Sequence, residues 1–363
     1  MGMRIAVFRA LPGLGDMLCI VPALRALRAA EPGAQIVLVG LPSARWIVER
    51  WPYCDELVEF PGYPGLPERE PDARSVLSFL RSMQEREFDL ALQFHGSGLV
   101  TNAVVALMGA RANAGFVPAG IEAPAGAFLP WDPHEHEVTR YLRLLQRLGI
   151  PGTGATLEFP VHDDEARSAA HLVAAGGRPY VVLHPGTNQP ARRWPAERFA
   201  AVADHLAALG YLPVFTGSAR ERALVAATTA RVHATGVRDV SGRTSLGELA
   251  AIVRDARLVV CADTGVSHLA AAVGTPSVVV FRSSDVRRWA PLDAARHRRV
   301  GLDEPLVRAR LGRPGDGRCL GDGCRHLALD ELVPPAATGP DDVVREALSL
   351  LDGADRLSAG ERG

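Results

Sequence analysis

Short, almost wholly apolar runs recur along the chain, separated by stretches in which apolar residues return every three or four positions. The first kind reads as buried strands and the second as amphipathic helices. In the first half, strands are predicted at Arg4 to Arg9, Gln35 to Gly40, Leu57 to Phe60 and Leu90 to Phe94. Helices are predicted at Asp16 to Ala30, Ser43 to Arg50, Ala73 to Arg86, Leu99 to Met108 and Val138 to Leu148. Pro61 to Pro71 and Pro118 to Pro133 read as loops, and Gly149 to Gly154 as a break. A second series follows. Its strands are Tyr180 to His184, Leu212 to Thr216, a short position at Val240, Leu258 to Cys261 and Val278 to Phe281. Its helices are Asp163 to Ala175, Ala196 to Leu209, Arg220 to Ala230, Ser245 to Asp255 and Val266 to Ala272.

Strands alternating with helices imply an α/β fold with parallel sheets covered on both faces. Two such series imply two Rossmann-like domains, at residues 1–160 and 161–335. Residues 336–363 are expected to form a helix, Asp341 to Leu351, before a disordered polar end. Open sheets of this kind bind ligands at the carboxyl ends of their strands, so an interdomain cleft is the expected site.

Composition narrows the partners. The 363 residues are 47% hydrophobic and carry 40 basic against 41 acidic side chains, which argues against a nucleic-acid binder. The first ten residues lack the charged start and long apolar core of a signal peptide. No apolar run approaches the ~20 residues that span a bilayer. A cytoplasmic protein is expected, with contact at a membrane surface left open. Cys19 and Cys261 sit in apolar runs and read as core residues. The odd total of five cysteines fits a reducing compartment.

The candidate chemistry lies where strands end. Asp263-Thr264-Gly265 follows a strand and opens a helix that contains His268. Free amides and the positive end of the helix dipole suit phosphate oxygens there. His268 is open to a packed or capping role as well as a ligand-facing one. Gly13-Leu14-Gly15-Asp16 follows the first strand. It lacks the third glycine of a dinucleotide fingerprint and the Gly-Lys-Ser/Thr of a P-loop. Asp16 is either an N-cap carboxylate or a general base, and the two roles are compatible. His184-Pro185-Gly186-Thr187 leads to Arg192-Arg193-Trp194-Pro195, where an arginine could neutralise a diphosphate or lie solvated. Thr216-Gly217-Ser218 with Glu221 offers a carboxylate for ribose hydroxyls, or an ordinary first-turn glutamate. His95, Ser97 and Asn102, at the end of Leu90 to Phe94, suit acceptor recognition. His134-Glu135-His136-Glu137 reads as a linker and helix start, since zinc spacing on a helix would be i, i+4. Cys319, Cys324 and His326 leave a zinc site one ligand short. No Asp-x-Asp occurs, so no divalent-metal diphosphate clamp is expected, and no cofactor.

Together, Gly13-Leu14-Gly15-Asp16, Arg192-x-Trp194-Pro195 and Asp263-Thr264-Gly265-x-x-His268 resemble the lipopolysaccharide heptosyltransferase family, glycosyltransferase family 9. The resemblance covers roughly residues 3 to 290. It implies a GT-B fold, with the C-terminal helix of residues 336–363 packing back on the first domain, and metal-independent, inverting transfer of a sugar from a nucleotide donor. The usual donor of the family is ADP-heptose, and the acceptor a glycan or lipid-linked glycan. The family's base falls on Asp16. Its donor contacts fall on Asp263, Thr264, Gly265 and His268, with Gly15, Thr187, Gly217 and Glu221 around them. Its lysine before Trp-Pro falls on Arg192, which keeps the charge but changes the reach. A non-hydrolysing sugar-nucleotide epimerase and an inactive sugar-nucleotide-binding protein are the competing readings.

Overall fold

The structure, a computed structural model, describes residues 2–301 and 338–360, with 353–360 described by their backbone alone. Cys319, Cys324 and His326 lie outside the described residues. The chain forms two compact units that divide between Thr156 and Leu157.

The first unit is built on a six-stranded parallel sheet. Its strands are β1 (Arg4–Phe8), β2 (Gln35–Gly40), β3 (Glu56–Glu59), β4 (Leu90–Gln93), β5 (Ala112–Val117) and β6 (Ala127–Pro130), in the order β3-β2-β1-β4-β5-β6. The second unit repeats that plan. Its strands are β7 (Tyr180–His184), β8 (Leu212–Phe215), β9 (Arg238–Asp239), β10 (Leu258–Ala262), β11 (Ser277–Phe281) and β12 (His297–Gly301), in the order β12-β11-β10-β7-β8-β9. Both are doubly wound sheets. In each, the strand order reverses between the first and fourth strands, and that is where the fold opens a crevice at the carboxyl edge.

The central strands are the ones the apolar runs predict, because both of their faces are buried. Val7 pairs with Leu38 on one side and Leu92 on the other, and Val260 pairs with Leu183 and Val278. The edges differ from expectation. Residues 118–133 contain the edge strand β6, and β5 precedes it. Their modest sequences, Ala-Asn-Ala-Gly-Phe-Val and Ala-Phe-Leu-Pro, carry little apolar signal, and Pro130 is tolerated only at an edge. The edge strand β12, His-Arg-Arg-Val-Gly, is charged as edges often are. The single helix expected over Asp16 to Ala30 is two, Leu14–Leu18 and Val21–Ala30. Pro22 has no N–H to continue the first helix, so it opens the second.

Phe8 sits edge-on to Phe60, 5.0 Å between ring centres, in a core that also holds Val37, Phe79, Met83 and Phe88. The second core gathers Leu183, Trp194, Phe199, Phe215, Val260 and Val280. The C-terminal helix is Pro340–Gly360. Its buried residues Val343, Ala347, Leu350 and Leu351 join this second core. Their spacing makes one apolar stripe, and that stripe finishes the face that Val260 and Val280 present.

His297 gives this unit a pH response. It is nearly buried, with Nδ1 2.9 Å from Ser277 Oγ. Burial pushes its imidazole down from 6.5 to about 4, partly opposed by Asp293. The unfolded chain therefore takes up this proton first as pH falls. The stabilisation is complete above 6.5 and is lost on the way down to about 4. The thermal midpoint of the native chain is expected to fall across that window, and less steeply in His297→Gln.

Candidate active site

In the first unit the carboxyl ends of β1 and β4 meet at the point of strand-order reversal. Arg9 directly follows β1 and is fully buried, unlike the apolar residues before it. Its Nη1 donates to the carbonyl oxygen of Phe94 at 2.6 Å and lies 3.3 Å from Glu137 Oε1, and it contacts the Tyr141 hydroxyl. Its Nη2 lies 3.6 Å from Asp16 Oδ1. Burial works against the Arg9 charge, but Tyr141, Glu137 and Asp16 outweigh it and hold the guanidinium protonated.

Asp16 is the third residue of Leu14–Leu18, whose N-cap is Gly13. Its carboxylate is therefore not the cap. It is 30% exposed, partly desolvated and still open to a ligand. Gly13 has ordinary extended backbone angles, so its need for glycine is spatial. A Cβ there would overlap the Asp16 carboxylate. Gly13→Ala is expected to turn that carboxylate aside, which a crystal structure of the variant would show.

His95 follows the loop start at Phe94 and is buried. Its Nδ1 accepts from the Ala10 amide at 3.2 Å, its Nε2 lies 3.2 Å from Glu68 Oε1, and its ring stacks on Phe8. Asn102 Nδ2 donates to the carbonyl oxygen of Phe116 at 2.8 Å, and Ser97 is half-buried between them in sequence. Gln93 donates to Thr101 Oγ1 at 2.7 Å and contacts the His95 carbonyl, so it fixes this loop from beneath.

The second unit repeats the arrangement at the ends of β7 and β10. His184 ends β7, with Nδ1 2.9 Å from Thr216 Oγ1, and burial pushes its pKa down. Gly186 lacks a side chain for a clear reason: a Cβ there would overlap the Glu221 carboxylate. Glu221 Oε2 accepts from the Ser218 amide at 2.7 Å. Burial works against the Glu221 charge, but His184, Ser218 and Arg193 outweigh it and hold the carboxyl below its ordinary value. Gly217 fits closely between Val225 and Ser241. Thr187 is buried, and its hydroxyl accepts from the Gln189 amide at 3.4 Å.

Asp263 follows β10 and is almost wholly buried. Burial pushes its carboxyl up, against Arg192, whose Nη1 lies 3.3 Å from Oδ2, and against the Ser284 hydroxyl that donates to it. Arg192 is a quarter exposed, so one face of the guanidinium meets Asp263 and the rest reaches solvent. Thr264 is the N-cap of the helix Gly265–Val273, in extended conformation, and its side chain makes no capping bond. Thr264 and Gly265 are half-buried at the start of that helix. Ser267 Oγ instead donates to the Thr264 carbonyl oxygen at 2.8 Å, bracing the turn. His268 is 3% exposed and packs edge-on against Trp289, 6.1 Å between ring centres.

Sequence reading missed four contributors: Arg9, Glu137, Ser284 and Arg282. Arg9 could have been found as a lone arginine at the end of an apolar strand. Glu137, Arg140 and Tyr141 share one helix face by their i, i+3, i+4 spacing, which is the signal hidden behind the histidines at 134 and 136. Arg282 donates to the Arg193 carbonyl oxygen at 2.5 Å and so anchors the loop that carries Arg192. Nothing in the local sequence announces that pairing across 89 positions.

Two Rossmann-like units in one chain, each with polar side chains gathered at its carboxyl edge, are the architecture of the GT-B class. Residues 76–306 match the profile of glycosyltransferase family 9 (heptosyltransferase). The chain belongs to that family. Lipopolysaccharide heptosyltransferase 3 of Escherichia coli K12 is 26% identical over 289 residues, covering 76% of this chain and 82% of its own. The solved family 9 glycosyl transferase of Veillonella parvula superposes with a TM-score of 0.73 at 22% identity, covering 96% of this chain and 97% of that one. The solved E. coli ADP-heptose lipopolysaccharide heptosyltransferase II gives 0.71 at 21% identity, over 97% of this chain and all of the other.

Proposed function

We propose that the protein moves heptose from ADP-heptose to a glycan or lipid-linked glycan, with inversion and without a metal ion. The observation that carries the reading is the carboxyl edge of the second sheet. There Arg192 stands against Asp263 at 3.3 Å beside the half-buried start of a nine-residue helix at Thr264 and Gly265. A diphosphate placed there meets a guanidinium and the amides of a helix start, which together supply the positive potential a divalent cation would otherwise give. Glu221, held ionised, accepts from ribose hydroxyls. Asp263 acts mainly by holding Arg192, and His268, packed on Trp289, shapes the wall of the pocket. The relatives named for heptose transfer, one of them for ADP-heptose, support the choice of donor.

Inversion needs one in-line displacement. Asp16 takes the proton from an acceptor hydroxyl as that oxygen bonds to the anomeric carbon. The bond to the diphosphate oxygen breaks on the opposite face, and ADP leaves with the electron pair, its charge met by Arg192 and the Thr264 and Gly265 amides. The chemistry requires the first unit's Asp16 to reach the sugar held by the second. Gly15 keeps the chain close at that point. Ser97, with the loop that His95 and Asn102 brace, contributes to acceptor binding.

Leu99 and Ile121 are 68% and 53% exposed on loops following β4 and β5, which suits an acceptor with a lipid portion and peripheral contact with the cytoplasmic membrane face. Among the described residues, no helix is long and apolar enough to cross a membrane.

The test is incubation with ADP-heptose and heptose-deficient core lipopolysaccharide in the presence of EDTA. ADP release and a heptosylated core of inverted anomeric configuration, seen by NMR, are expected. An altered nucleotide sugar formed without acceptor would show an epimerase instead, and loss of activity in EDTA would contradict metal independence.

A further inference from the structure

The HEHE stretch at 134–137 reads as a linker, yet its last residue is one of the least exposed charges in the protein. Glu137 is 1% exposed, and its carboxylate is shared by two buried arginines. Oε1 lies 3.3 Å from Arg9 Nη1, and Oε2 lies 3.2 Å from Arg140 Nε. Arg140 is fixed in turn, with its guanidinium 3.6 Å from the centre of the Trp131 ring and Nη2 donating to the Glu135 carbonyl oxygen at 2.6 Å. Two buried guanidinium charges thus face one fully buried carboxylate.

A buried charge without a counter-charge is expensive, so the cluster needs a second anion. Asp16 supplies it, 3.6 Å from Arg9. Asp16 is also the only member of the set that reaches solvent. Glu137 and Asp16 share the Arg9 guanidinium. Glu137 Oε1 lies 3.3 Å from Nη1 and 3.4 Å from Nη2, the Phe94 carbonyl oxygen holds Nη1, and Nη2 also faces Asp16. Tyr141, buried and pushed well up by burial, keeps its proton and bonds to Glu137 Oε1, which closes the set.

We propose that Glu137 is a positioning residue for Asp16, acting through Arg9. This rests on the reading of Asp16 as the base. Glu137 takes up part of the Arg9 charge. Without it, Arg9 would turn wholly to Asp16, draw the carboxylate inward and make it a poorer proton acceptor. With it, Arg9 is shared and holds Asp16 through Oδ1, with Oδ2 lying over Gly13.

Glu137→Gln keeps the shape and removes the charge. Its kcat is expected to fall about ten- to a hundredfold, the scale on which misplacing a reacting group acts. The KM for ADP-heptose should stay within about twofold of the parent, since ground-state binding is untouched. Glu137→Asp should recover part of the rate. In an Asp16→Asn background, Glu137→Gln should cost nothing further, because residues that act through one another are not additive. Should Glu137→Gln fail to fold, Tyr141→Phe decides the matter, since it removes only the hydroxyl between Arg9 and Glu137. A several-fold loss of kcat with unchanged KM is expected from it. Parent-like kcat in the Glu137→Gln enzyme, or in Tyr141→Phe if that is the variant that folds, would overturn the proposal. So would a loss that multiplies with that of Asp16→Asn. Normal turnover in Asp16→Asn alone would instead overturn the base assignment beneath it.

Discussion

Asp16→Asn is expected to bind ADP-heptose as the parent does and to transfer it about two to four orders of magnitude more slowly, the range over which a positioned general base acts. The substitution is nearly isosteric, so the overlap that forbids a side chain at Gly13 does not arise. What disappears is the proton acceptor. Arg9 also loses its outward counter-charge, but Glu137, Tyr141 and the Phe94 carbonyl oxygen remain on it. The fold should therefore survive with a modest loss of stability, and the fall should appear in kcat. Single-turnover kinetics with saturating donor would isolate the chemical step. A rate within about threefold of the parent would remove Asp16 from the mechanism.

Arg192→Ala should be the second largest loss, about a hundred- to a thousandfold in kcat/KM for the donor, as for removal of one preorganised group facing developing charge. Two effects combine. The leaving diphosphate loses its guanidinium, and Asp263 is left buried beside the proposed phosphate site with Ser284, among the described residues, donating to it. An unpaired carboxylate there would repel the donor. Asp263→Asn in the Arg192→Ala background should therefore regain part of the donor affinity. Arg192→Lys should stay within about tenfold of the parent, because the charge remains while the forked geometry is lost. Equal activity in the parent and in Arg192→Ala, by initial rates over a donor series, would mean that the diphosphate lies elsewhere.

The residues that were easiest to read are those whose local sequence is tied to their role. The strands β7, β10 and β11 are buried on both faces and are written as unbroken apolar runs. The turn at Asp263-Thr264-Gly265 follows such a run and opens a helix, so its place at the carboxyl edge of a sheet followed from the alternation alone. The edge strands β6 and β12 were not legible, because an edge needs neither a continuous apolar run nor strict alternation, and β5 beside β6 carries little apolar signal. The set around Asp16 was half legible. Gly13 and Asp16 stand in a recognisable motif, but Arg9 and Glu137 meet across 128 residues. A pairing that distant is set by tertiary packing of a helix on a sheet, and no local pattern reports it. The packing of the C-terminal helix is of the same kind. Its apolar stripe states that it packs, and only the exposed face left by β10, β11 and the helix Ala196–Ala208 states where.

We propose a division of labour in which the nucleotide is held at the edge where β7 and β10 end and the proton is moved where β1 ends. Calorimetric titration of ADP into the parent, Asp16→Asn and Arg192→Ala tests that division most directly. The parent and Asp16→Asn should give the same dissociation constant within about twofold, and Arg192→Ala one weaker by about tenfold or more, as for loss of a charge-assisted hydrogen bond. ADP affinity that falls with Asp16→Asn and holds with Arg192→Ala would contradict it.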